Sequence, residues 1–188
     1  MLTKKIIFQF LILFLAISMN AQDINYAAKI DSLKAKSNER YRQLFWKTLP
    51  KSINWTNDYE NLFSDDEETK LNQIIANFEK ETTIEIAIVT IDSFKVSKEK
   101  FEELTLHIAK TWGVGKKEKA NGILIAISKG HRQIRIQNGD GILPILSDEE
   151  TSEIIQNQII PYFKKDDYFE GTQLGLLKII DLLRTKLK

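Results

Sequence analysis

Two apolar, β-branched runs constrain this chain most: Ile84-Glu-Ile-Ala-Ile-Val-Thr-Ile91 and Gly122-Ile-Leu-Ile-Ala-Ile-Ser128. Neither alternates cleanly between apolar and polar residues, which is the pattern of strands buried on both faces rather than of strands with one wet side. Between them Phe101, Leu104, Ile108 and Trp112 recur at helical spacing and predict a helix over about 97–112. A strand, a helix and a second buried strand form a βαβ unit, whose crossover is right-handed and whose strands are parallel. A chain with this unit at its centre folds as layered α/β.

The flanking segments extend the plan. Ser64 with Glu67 has capping-box spacing, and Leu71, Ile74, Ile75 and Phe78 then mark one face of a helix over about 65–81. Lys129-Gly130-His131 turns the chain after the second strand. Arg132 to Gln137 follows with Ile134 and Ile136 on one face and Gln133, Arg135 and Gln137 on the other, an edge-like antiparallel strand. Ser147 with Glu150 opens a further helix, which Pro161 is expected to stop. Gly171 to Leu187 is a final helix, with Leu176, Leu177, Ile180, Leu183 and Leu187 expected inward. The expected architecture is a three-layer α/β/α domain over residues 52–188, with a short mixed, mostly parallel sheet.

The N-terminus reads differently. Lys4 and Lys5 precede an apolar run from Ile6 to Ile17, and small residues follow at Ala16, Ser18 and Ala21. This is the layout of a secretory signal peptide over residues 1–21, with cleavage after Ala21 or after Ser18. The alternative, an uncleaved anchor, has an apolar core short of the roughly 20 residues a spanning helix needs. Residues 22–51 are a polar, partly helical leader closed by Pro50. Cleavage removes two lysines and no acid, turning the formal net charge from +1 to −1. Without a basic field, nucleic acid is not an expected partner. The chain has no cysteine. That excludes disulfides, thiol catalysis, Cys-ligated metals and a lipid anchor on an N-terminal cysteine. The expected product is periplasmic or secreted, with no stable transmembrane anchor after cleavage.

The topology sorts the polar residues to two ends of the sheet. Asp92, Ser93, Ser128 and His131 fall at the carboxyl end of the parallel strands, near Asp58, Asp65 and Asp66, and open α/β sheets favour that end for ligands. The plainer role of these acids is to cap helix starts and turns. At the opposite end lie the loop from Trp112 to Ala120, then Asn121 and Gly122, with Gly139 and Asp140 beyond the hairpin. Oxygen ligands converging from two loops suit a hard cation such as Ca2+, with Asn121 and Asp140 as candidate ligands; tight turns without a ligand account for the same glycines. The two histidines, His107 and His131, have no cysteine to join them, and no Walker loop, HExxH or Gly-x-Ser-x-Gly motif is present. His131 is expected exposed at the hairpin tip.

The stretch from about Ile53 to Leu183 resembles the TPM domain family. The resemblance rests on Trp55-Thr-Asn-Asp58-Tyr59 with Leu62-Phe63-Ser64, Glu79 to Thr83 followed by Glu85-Ile-Ala-Ile-Val-Thr, and Trp112-Gly-Val-Gly115 with Asn121-Gly-Ile-Leu-Ile125. Arg132 to Gly139, Leu146-Ser-Asp148, Ile160-Pro-Tyr-Phe163 and Asp167-Tyr168 with Gly171 complete it. The family includes a plant thylakoid-lumen acid phosphatase, a nematode receptor modulator and many exported bacterial proteins. The resemblance implies a Rossmann-like domain, export, and calcium binding or phosphatase activity. Many exported bacterial relatives continue into a transmembrane helix and a Gly-rich tail; this chain ends at Lys188 and resembles a free, single-domain version. Two positions depart from the family pattern. Ala120 stands where an acid is frequent before Asn-Gly, and Leu143 stands where the following loop has Glu. Asp140 is gained where Tyr is usual. The resemblance, with these departures, implies cation binding and phosphatase chemistry that are weaker than in the family, or lost. The expected role is a binding or assembly accessory for a periplasmic or envelope protein, and the alternative is a weak metal-assisted acid phosphatase.

Overall fold

The computed structural model describes residues 2–188, with side chains described from residue 25 onward. The signal peptide expected over residues 1–21 lies outside the residues whose side chains are described. Two compact units are present, Met1–Leu44 and Phe45–Lys188. From Leu2 onward the first belongs to the helix α1, Leu2–Lys47, where the stretch 25–44 is almost wholly exposed. Among the described residues no helix is long and apolar enough to cross a membrane.

The second unit is the α/β domain. Its sheet has the order β1-β2-β3-β4, with β1 Thr56–Asp58, β2 Glu85–Thr90, β3 Gly122–Ser128 and β4 Gln133–Asn138. The first three strands are parallel and β4 is antiparallel to β3. The register sets Ile86 beside Ile123 and Ile88 beside Ile125. Side chains alternate across a strand, so these isoleucines face one layer while Ala87, Val89, Leu124 and Ala126 face the other. The first layer contains α2, Asp65–Thr82, and α6, Tyr168–Lys186. It also contains the consecutive turns α4, Asp148–Ile154, a π turn, Ile155–Ile159, and α5, Ile160–Phe163. The second layer is α3, Phe101–Trp112, joined by Phe45, Trp46 and Leu49. This is the three-layer α/β/α arrangement that the βαβ unit dictates.

Local chemistry explains the element boundaries. Both capping boxes form: Ser64 and Ser147 accept the N–H groups of Glu67 and Glu150, whose carboxylates accept the serine N–H groups in return. Strand β1 carries no sequence pattern, since Thr-Asn-Asp is short and polar. It exists because Trp55 O accepts from Ile88 N and Asn72 Oδ1 accepts from Thr56 N. Pro161 does not stop its helix. It sits in the first turn of α5, where its missing N–H is tolerated, and the preceding π turn carries the chain past the gap. Helix α6 buries Leu176, Ile180 and Leu183 as expected, but Leu177 and Leu187 lie on its exposed side. A single apolar stripe on a helix spans only part of its circumference, and Ile179 fills the inward place assigned to Leu177.

Candidate functional site

The loops at the amino end of the parallel strands are stitched together by backbone. Gly139 N donates to Gly122 O at 2.9 Å and Gly141 N to Ala120 O at 3.0 Å. These bonds bring the segments holding Asn121 and Asp140 side by side, as the hairpin topology predicts. The close approach accounts for glycine at two positions: a Cβ on Gly122 would strike Val114 O, and one on Gly139 would strike Ala120 O. At these two positions glycine lets loop pack against loop.

Asn121 is 7% exposed and its side chain is engaged at both ends. Its Oδ1 accepts from Lys116 N at 2.8 Å, and its Nδ2 donates to Thr83 O at 2.7 Å. Thr83 is the left-handed C-cap of α2, so Asn121 ties the 112–121 loop to the end of a helix. Glu85 does similar work, accepting from Gly115 N at 2.8 Å and from Lys116 Nζ at 2.5 Å. Lys116 also lies 3.7 Å from Glu79, and the Glu85 carboxylate beside it raises its pKa above the usual lysine value.

Asp140 is exposed and lines a cavity of about 460 Å³ together with Lys110, Lys116 and Lys117. It supplies the only carboxylate in that lining among the described residues. Trp112 lines a different cavity, of about 370 Å³, with Trp55, Glu79 and Glu85. Its indole N–H donates to Pro50 O at 2.8 Å, and its ring packs against the second core layer. Calcium takes six to eight oxygen ligands, several of them carboxylates in tight sites. Among the described residues no three His, Asp or Glu side chains converge in a metal-binding group. One carboxylate among three lysines does not make a calcium cage.

The carboxyl end of the sheet gathers Asp58, Asp92 and Ser93, but each acid is tied to its own turn. Asp58 accepts from Thr90 Oγ1 at 2.5 Å and from Phe63 N at 2.8 Å; Asp92 accepts from Phe94 N at 2.8 Å. Ser93 packs its hydroxyl where a Cβ on Gly130 would fall. His131 is half-buried rather than exposed: its Nε2 lies 2.9 Å from Val96 O, and because a carbonyl only accepts, Nε2 carries the proton. Sequence reasoning missed Glu60, which bridges to the hairpin by accepting from Lys129 N at 2.9 Å and Gly130 N at 3.4 Å. Burial raises the Glu60 pKa, the two N–H groups oppose that shift, and Asp92 and Asp58 add to it. An acid two residues beyond Asp58, at the end of a strand, was the signal available.

The family model of the TPM domain matches residues 56–182. The chain belongs to the TPM-domain family. Its fold is shared with the N-terminal domain of a protein from P. gingivalis, solved by solution NMR, at 30% identity and a TM-score of 0.65; the match covers 72% of this chain and 85% of that one. The BA42 protein from the psychrophilic bacterium Bizionia argentinensis is similar at 22% identity and a TM-score of 0.58, over 68% of this chain and 86% of that one. The N-terminal domain of the cg2496 protein from Corynebacterium glutamicum matches at 17% identity and a TM-score of 0.53, over 74% of this chain and 84% of that one. The last two likenesses bear on the fold alone. No functionally curated protein matches the chain. In this TPM domain the two departures seen in the sequence lie at the loop end. Ala120 has a left-handed backbone, φ 46°, and Leu143 is exposed.

Proposed function

We propose that this TPM-domain protein is an exported binding or assembly accessory of the periplasm or envelope, with at most weak divalent-cation binding and no strong hydrolytic activity. One observation carries the reading: at the loop end the polar groups brace one another. Asn121 and Glu85 hold backbone N–H groups, a carbonyl and Lys116, leaving Asp140 as a solitary exposed acid beside lysines. Hydrolysis of a phosphoester needs an activated water or nucleophile and a preorganised set of groups for the developing charge. An acid without a general-base partner or a metal cage supports binding more readily than turnover. Export is part of the proposal and rests on the N-terminal pattern of Lys4, Lys5 and the Ile6–Ile17 run.

Titration calorimetry of the chain with Ca2+ tests the cation part. The expected result is a dissociation constant of about 1 mM or weaker, the range of low-charge sites, lost in Asp140→Asn. Micromolar affinity unaffected by Asp140→Asn would place the cation elsewhere and overturn this reading. The alternative reading, a weak metal-assisted phosphatase using Asp140 and Asn121, draws on the exposure of Asp140 and the cations around it.

A further inference from the structure

A third cavity, of about 330 Å³, lies at the carboxyl end of the parallel strands, between the β3–β4 hairpin and the α5–α6 corner. We propose that it binds a small amphipathic monocarboxylate, with its apolar body on Ile134, Ile160, Phe163 and Tyr168 and its carboxylate between Arg132 and Lys164. This site is separate from the loop end, and the inference does not rest on the cation reading.

The walls fit such a ligand. Ile134 and Phe163 pack on the first core layer while remaining half-exposed. Phe163 and Tyr168 form a tilted aromatic pair with ring centroids 4.7 Å apart. The carboxyl end of an open α/β sheet is the usual place for a small-molecule site.

The charges are arranged unequally. Lys129 is engaged, 3.8 Å from Asp166 and 5.0 Å from the centre of the Tyr168 ring. Arg132 and Lys164 are exposed, and no ion pair of either is found among the described residues. Arg132 nevertheless acts on the cavity: its charge lowers the Tyr168 pKa against the burial, Asp166 and Glu60 that raise it. Its backbone sits in the left-handed region at φ 52°, closed by Arg132 N donating to Lys129 O at 3.0 Å. That conformation is strained for a residue with a Cβ, and an observed outlier of this kind is where function is to be sought. The hairpin thereby sets the place of the Arg132 backbone at the cavity rim. Two cations favour an anion, and an arginine fork pairs well with a carboxylate. The apolar walls beside these cations favour an anion that carries an apolar body, which selects an amphipathic carboxylate over phosphate.

The test is a two-dimensional NMR titration of the full 15N-labelled chain with 3-phenylpropionate, its neutral analogue 3-phenylpropanol, and inorganic phosphate. Saturable shifts confined to residues 132–134 and 160–168 are expected with the carboxylate alone. Lys164→Gln and Arg132→Gln are each expected to raise Kd about tenfold, the loss of one charge-assisted hydrogen bond. Arg132→Gly relieves the backbone, so it is expected to match or exceed the stability of the parent while losing the same affinity. Equal binding of the alcohol, binding of phosphate at the same residues, no saturation, or unchanged affinity in the stable Arg132→Gly variant would each overturn the proposal.

Discussion

Asn121 is the residue whose role the structure changes most. Its place in an Asn-Gly pair beside a glycine-rich loop makes it a natural candidate ligand, yet its amide satisfies one carbonyl and one N–H of the chain itself. Asn121→Ala is expected to leave Thr83 O and Lys116 N without those partners. An unsatisfied buried group costs about 1–3 kcal/mol, so a loss of about 2 kcal/mol in urea denaturation is predicted. Asn121→Asp keeps the acceptor for Lys116 N but sets a carboxylate oxygen against Thr83 O, and a loss at least as large is expected at neutral pH. Ala120 beside it shows why a missing acid is an ambiguous signal. Its left-handed backbone is one that Asp tolerates better than Ala, so an acid there serves the turn as well as any ligand. Sequence pattern located this cluster but could not divide the two roles, because hydrogen-bond direction is settled by contacts between residues as far apart as Thr83 and Asn121.

Glu60 gives the pH prediction at the same scale. Its native pKa is raised, chiefly by burial, with Asp92 and Asp58 adding to the shift. A carboxyl with a raised native pKa favours the fold in its protonated form. That contribution is fully present below the unfolded-state value, and it is lost as pH rises through the native one. Glu60→Gln holds the neutral form at all pH and keeps one acceptor for the hairpin N–H groups. The variant is predicted to show a smaller fall in stability than the parent as pH rises through and above the ordinary carboxylate range. Urea midpoints measured between about pH 4 and pH 7 check this; parallel curves for parent and variant would contradict it.

At the scale of elements, the parts that a local pattern can encode were legible. The two buried strands, the helix between them and both capping boxes follow from residues close in sequence, and they stand where those residues put them. Strand β1 was not legible, since Thr56–Asp58 gains its extended form from β2 and from Asn72. Pro161 misleads for a related reason: a proline ends a regular helix, but a π turn before it removes the conflict. The periodicity of α6 identified the helix and misassigned Leu177, because only packing decides how wide the buried stripe is. Leu183 is fully buried against the first core layer, whereas the nearby Arg184–Glu81 ion pair, 2.7 Å at its shortest, is half-exposed. Leu183→Ala is therefore expected to cost about 2–5 kcal/mol. Glu81→Gln should cost under about 1 kcal/mol, since exposed ion pairs are screened by solvent. Thermal unfolding of the two variants side by side measures the difference; a larger loss from Glu81→Gln would mean that the pair, not the core, fixes α6.

For the whole molecule, the domain separates three surfaces on one scaffold. The loop end is braced by Asn121 and Glu85, the acids of the opposite end each hold a turn, and the cavity beside the hairpin is lined by the exposed Arg132 and Lys164. The TPM fold by itself chooses none of these as a site of action. The proposed reading makes the loop end a braced scaffold rather than a hydrolytic centre. The direct measurement is hydrolysis of p-nitrophenyl phosphate by the full chain, with and without Ca2+ or Mg2+, alongside Asp140→Ala and Asp92→Ala. No turnover above the buffer rate is expected, and no difference among the three proteins. Metal-dependent turnover that Asp140→Ala abolishes and Asp92→Ala spares would contradict that reading.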